Sequence, residues 1–133
     1  MVGYKNKDYL ASKFSIHQFG ILDEDRLLLH SRIEERLEMI IQNGLIDEVK
    51  GLLNKYKIPE NHPIRRSVNY KQAISLLNNE YDSDEFFKKA LYATRQLAKR
   101  QMTWLRSWED LDAFNIKTSY KIQESIKRLA TSL

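Results

Sequence analysis

A chain of 133 residues with 42% hydrophobic and 30% charged residues has the length of one domain and the balance of an ordinary globular protein, which sets disorder aside. Its 22 Lys+Arg against 18 Asp+Glu leave a net charge of +4, and the absence of cysteine excludes disulfides, thiolate zinc sites and cysteine nucleophiles together. No apolar run approaches the ~18 residues of a membrane span, the first residues lack the apolar centre of a signal peptide, and the expectation is a cytoplasmic protein with no membrane partner.

Residues 1–13 read as a polar, lysine-rich lead-in. Phe14, Ile16, Phe19, Ile21 and Leu22 suggest a strand over residues 14–22, and left alone it would carry unpaired edges. Asp23 is the expected N-cap, with Glu24 and Asp25 in the first turn, of a helix running to about Asn43 and stopped by Gly44 in left-handed geometry. Its apolar stripe is Leu29, Ile33, Leu37 and Ile40. Arg36 projects about 20° from Leu29 on this wheel, so it is expected at the core edge, where a guanidinium needs an anion. Periodicity alone favours an internal salt bridge to a glutamate over a bound ligand. A second helix is expected from Leu45 to about Lys57, with Leu45, Val49, Leu52, Leu53 and Tyr56 at helical spacing.

Pro59 and Pro63 bracket a loop. The following stretch, IRRSVNYK at residues 64–71, combines three cations, a hydroxyl, an amide and an aromatic ring. Such a mixture grips phosphates and stacks bases; it equally suits a solvated turn leading into a helix from Tyr70 to Leu77. After a turn over residues 78–83, Asp82 or Ser83 should cap a long helix reaching Trp108, with Phe86, Phe87, Ala90 and Leu91 as its apolar start. Whether Tyr92 packs or presents its ring stays open. A short strand over residues 111–116 and an amphipathic helix over residues 118–133, with Ile122, Ile126, Leu129 and Ala130 inward, complete a mainly α chain with one or two short strands. His17, His30 and His62 are scattered, so no metal site is expected.

The most informative stretch is ATRQLAKRQMTWLR at residues 93–106. At roughly 100° per residue, Leu91, Thr94, Leu97, Ala98, Gln101, Met102, Leu105 and Trp108 share one mostly apolar arc. Arg95, Gln96, Lys99, Arg100, Thr103 and Arg106 take the other side. Four basic residues and no carboxylate lie here, so the remainder of the chain balances at 18 against 18. An ordinary solvated face would alternate its charges, so the pattern favours an anionic partner such as a phosphate backbone. Trp104 and Trp108, one turn apart on the apolar side, read as core in preference to base-stacking platforms.

This stretch resembles the C-terminal signature of the tRNA dimethylallyltransferases, also called tRNA isopentenyltransferases. IHQFGI at residues 16–21, LLLHSRIEERLEMI at 27–40, GLIDEV at 44–49 and the segment at 64–72 follow in that family's order and spacing. The resemblance covers residues 15–108.

It implies that the complete enzyme transfers a dimethylallyl group from dimethylallyl diphosphate to the exocyclic amine of the adenosine 3′ of the anticodon, in tRNAs reading codons that begin with U. Magnesium is implied as well, with no ligand for it assignable here. By the resemblance, Arg36 steadies the departing diphosphate, with Arg32 one turn earlier in support. Two groups would contact the tRNA anticodon stem-loop: Arg66, Ser67, Val68, Asn69, Tyr70 and Lys71, then Lys99, Arg100, Gln101, Met102, Thr103, Trp104, Leu105 and Arg106. Asn69 stands where the family usually has glycine, and asparagine tolerates left-handed geometry better than most residues. Members also carry a phosphate loop and a general-base aspartate near their N-terminus. The sequence contains no G-x-x-x-x-G-K-[ST], G-x-G-x-x-G or G-x-S-x-G motif, so residues 14–133 are expected to be the C-terminal portion of such a P-loop α/β enzyme and inactive alone. The alternatives are a stand-alone RNA-binding helical module and a remnant that self-associates through an exposed core face, for which Ile16, Phe19 and Ile21 are the candidates.

Overall fold

The computed structural model describes residues 13–22 and 25–131. Most of the lead-in, together with Asp23 and Glu24, lies outside them. Among the described residues the chain is mainly helical: β1 (Gln18–Ile21), α1 (Arg26–Gln42), α2 (Leu45–Lys55), a 3-10 turn (Pro63–Arg66), α3 (Tyr70–Leu77), α4 (Ser83–Arg106), β2 (Leu111–Phe114) and α5 (Lys121–Thr131). Two compact units result, one of Asp25–Met102 and the other of Met1–Glu24 with Thr103–Leu133.

In the helical unit, Asp25 rather than Asp23 caps α1, accepting from the Leu28 amide at 3.0 Å. The helix ends as expected: the Asn43 amide donates to the Met39 carbonyl at 2.9 Å, and Gly44 follows at φ 96. A Cβ at Gly44 would meet nothing within 4 Å, so it is the positive φ, not crowding, that calls for glycine. Leu37 from α1, Leu45 and Val49 from α2, Ala73 from α3, and Phe86 and Ala90 from α4 are buried in one cluster. The predicted stripe is therefore right at its centre, with Ile33 and Leu37 buried and Leu29 and Ile40 half-buried. The α2 stripe holds except at its end, because the helix stops at Lys55 and leaves Tyr56 exposed. Asp82 caps α4 by accepting from the Glu85 amide at 2.8 Å.

In the other unit, β1 and β2 pair in parallel, Gln18 opposite Leu111 through Ile21 opposite Phe114. The strand expected to be alone thus has a partner, and the Phe19 and Phe114 rings pack 6.3 Å apart. Both strands are shorter than the sequence suggests, leaving Phe14, Ile16 and Ile116 exposed beyond their ends. Gly20 sits where a Cβ would come within 2.8 Å of the Leu111 side chain, which lies against it. Two expectations fail here. Ile126 and Ala130 of α5 are exposed, whereas Ile122 and Leu129 are half-buried. Trp104 and Trp108, expected in the core, are exposed and lie against each other at 4.4 Å. The cause is where helix and core end: Ala90 is the last fully buried residue of α4, and the helix stops at Arg106, two residues short of Trp108.

Removing the largest side chain of the helical core should be costly. Phe86→Ala is expected to lower stability by about 3–5 kcal/mol in urea denaturation, whereas Ile126→Ala should change it by about 0.5 kcal/mol or less.

Candidate RNA and diphosphate interface

The segment from Pro63 to Lys71 is a turn built from its own side chains. His62 caps the 3-10 turn, its Nδ1 accepting from the Ile64 amide at 3.3 Å. Arg65 is half-buried and spends its guanidinium on one carbonyl, Nε and Nη2 donating to Ile58 O at 3.2 and 2.9 Å. It is thus a structural residue of the loop. Arg66 is exposed, and one nitrogen donates to Asn61 O at 2.8 Å, which leaves most of its fork free. Ser67 Oγ donates to Ile64 O at 2.6 Å, so its hydroxyl proton is already engaged. Val68 is half-buried and Lys71 exposed, with no ion pair to a described residue.

Asn69 is the pivot. Its backbone is at φ 74, ψ −43, on the positive side that favours glycine. Three contacts fix this conformation from outside. The Asn69 amide donates to Gln72 Oε1 at 2.9 Å, the Asn69 side-chain amide lies 3.2 Å from Thr94 Oγ1 of α4, whose proton goes to Ala90 O at 2.8 Å, and Tyr81 Oη donates to Gln72 O at 2.7 Å. The asparagine side chain is therefore not idle: its contact with Thr94 joins the turn to the long helix. Tyr70 is half-buried, and its hydroxyl donates to the Glu48 carboxylate of α2. That bond, with burial and the carboxylate's charge, raises the phenol above its ordinary value of 10.0.

Along α4 the basic side divides. Arg95 Nη2 pairs with Glu34 of α1 at 2.8 Å, so the first cation of the expected unneutralised ridge is neutralised after all. Sequence pattern missed this because the two lie 61 residues apart. Lys99, Arg100, Gln101, Thr103, Trp104 and Arg106 are exposed, and Met102 and Leu105 are half-buried. On α1, Arg36 is exposed and forms no ion pair with a described residue, and the same holds for Arg32. The expectation of a core-edge arginine with an internal partner is overturned: Ile33 and Leu37 fill the buried face, and Arg36 points away from it into solvent. Nothing within the described chain satisfies it.

The IPP transferase family model matches residues 2–108 of this chain. The chain belongs to the IPP transferase family. The tRNA dimethylallyltransferase of Acinetobacter baumannii is 42% identical over 132 residues, covering 96% of this chain and 40% of that protein. That of Coxiella burnetii is 37% identical over 123 residues, covering 92% and 41% respectively. Among solved structures, the full-length tRNA isopentenylpyrophosphate transferase of Bacillus halodurans superposes with a TM-score of 0.76 at 25% identity, covering 90% of this chain and 39% of that one. A Staphylococcus epidermidis tRNA isopentenylpyrophosphate transferase gives 0.74 at 20% identity, which speaks for the fold alone. The chain spans about two-fifths of the length of the curated relatives it matches.

The positive φ makes Asn69 the most sensitive position in the turn. Asn69→Ala should lower stability by about 1–2 kcal/mol more than Asn69→Gly does, read by thermal or urea denaturation. Tyr70 sets an alkaline limit: its raised folded value means the stability it contributes is complete below pH 10.0 and lost as pH rises further. In Tyr70→Phe that part of the alkaline loss should disappear, as followed by denaturation midpoints across alkaline pH.

Proposed function

We propose that this chain is the C-terminal, tRNA-gripping part of a tRNA dimethylallyltransferase and that it lacks the means to catalyse alone. Transfer of the dimethylallyl group to an adenosine amine needs a base for the amine proton, cations for the departing diphosphate and a grip that holds the adenosine out of its stack. Arg36 serves the second need. Its exposed, unpaired guanidinium is a fork ready for two phosphate oxygens, and Arg32 lies one turn away. Arg66 and Lys71 at the Asn69 turn, with Lys99, Arg100 and Arg106 on α4, serve the third by holding the anticodon stem-loop through its phosphates.

The observation that carries the reading is that Arg66, Lys71, Lys99, Arg100 and Arg106 stay exposed on these two segments while Arg65 and Arg95, their neighbours in sequence, are engaged in internal contacts. The base and the phosphate loop come from outside this sequence. No group of three or more His, Asp or Glu side chains gathers among the described residues, no magnesium ligand is assigned to this chain, and the chemistry assigned to it does not involve the ion. No helix among the described residues is long and apolar enough to cross a membrane. A second reading has one observation in its favour: Phe14, Ile16 and Ile21 are exposed around β1, and a two-stranded sheet with such residues is a surface for self-association.

The test is a titration of the chain with a labelled anticodon stem-loop at low and near-physiological salt, beside a turnover assay with tRNA, prenyl donor and magnesium. Binding should weaken steeply with salt and further when Lys99 and Arg100 are changed to alanine, and no prenyl transfer should be detected. Turnover by the chain alone, or binding indifferent to both salt and these substitutions, would refute the reading.

A further inference from the structure

Between α3 and the first half of α4 runs an open groove of about 580 Å³, lined by Lys71, Gln72 and Ser75 on one side and by Glu85, Lys88, Lys89, Tyr92 and Ala93 on the other, with Tyr81 at its edge. Its charges are uneven. Lys89 is occupied, at 3.2 Å from Glu85 and with its ammonium 5.6 Å from the Tyr81 ring centre. Lys71 and Lys88 are exposed and form no ion pair with a described residue. Tyr92, one turn beyond Lys88 on the same helix face, is 66% exposed. Three lysines against one glutamate leave the groove net positive, with the excess on the two unpaired lysines.

We infer that this groove is a subsite for a single-stranded nucleotide of the bound RNA, its phosphate held by Lys88 and Lys71 and its base stacked on Tyr92. The inference rests on the tRNA-binding reading above and extends it to Lys88 and Tyr92, which lie between the segments that carry the family resemblance. Lys71 provides the continuity. It ends the Arg66-to-Lys71 turn and also lines the groove, so a strand leaving the turn meets the groove with no gap in the positive track. Unpaired lysines flanking a presented aromatic face are what sequence-tolerant recognition of single strands requires. The volume is of the size that encloses a small ligand. An acidic protein segment would use the lysines but has no base to lay on the tyrosine ring.

The experiment is anisotropy titration of a labelled anticodon stem-loop with the full chain and four variants, at several salt concentrations, with circular dichroism to establish that the exposed substitutions leave the fold intact. Tyr92→Ala should weaken binding about 5- to 150-fold, the range for one lost base–aromatic stack, while Tyr92→Phe keeps the affinity of the natural chain. Lys88→Ala should reduce the steepness of log K against log salt by about 0.7 to 0.9. If Tyr92→Ala and Lys88→Ala bind like the natural chain while Lys99→Ala with Arg100→Ala binds more weakly, the groove is not a subsite and the tRNA reading stands. If the natural chain fails to bind even at low salt, both are overturned.

Discussion

The helical unit depends on a backbone held where only glycine sits comfortably. Asn69, at φ 74, turns the chain from the 3-10 segment into α3. A conformation of this kind costs of order 1–3 kcal/mol and persists only when its surroundings over-determine it. Here the surroundings do so through the Gln72 cap, the Thr94 bridge and the Tyr81 bond to Gln72. Because the contacts that hold the turn face inward, Arg66 and Lys71 face outward. Buried below it, Ala73 shares one cluster with side chains from α1, α2 and α4, so the strain at the turn is supported by the unit's whole core. The exposed cations are therefore presented by a fixed element and not by a floppy loop, which lowers the entropy cost of gripping RNA.

Charge is divided by the same fold into structural and available portions. Arg65 stitches the loop to Ile58, Arg95 ties α4 to α1 through Glu34, and Lys89 pairs with Glu85 along α4. The pairs are partly solvated, with side chains between 31% and 54% exposed, and each is worth little as stability. Their larger consequence is what they leave over. Arg36, Arg66, Lys71, Lys88, Arg100 and Arg106 are among the cations with no ionic partner among the described residues, and through such groups a polyanion gains from counterion release.

Much of this was legible in the sequence, for identifiable reasons. Helix ends were readable where a single residue decides them: Gly44 needs its positive φ, and Asp82 can cap α4 without help from elsewhere. The α1 stripe was readable because Ile33 and Leu37 lie on one face of one helix. What failed were statements requiring a second element. The Glu34–Arg95 pair joins helices far apart in sequence, and the exposure of Arg36 depends on which face α1 turns inward. Trp104 and Trp108 looked like core because periodicity reports amphipathicity and not whether anything lies opposite. Asn69 was marked by its departure from glycine, yet its contact with Thr94 had no sequence signal. Lys88 and Tyr92 did leave a trace, an i, i+4 spacing on the α4 face, but nothing in it named a ligand.

The most direct test of the account is ultraviolet crosslinking of the chain to an anticodon stem-loop, followed by mass spectrometry of the crosslinked peptides. The account predicts RNA-bearing peptides from the Asn69 turn and from the Lys99-to-Arg106 end of α4, lost together as salt is raised. Crosslinks confined to α5, whose Lys121, Lys127 and Arg128 are also exposed, or to the β1–β2 sheet would contradict it, because they would place the RNA away from the Asn69 turn and the end of α4.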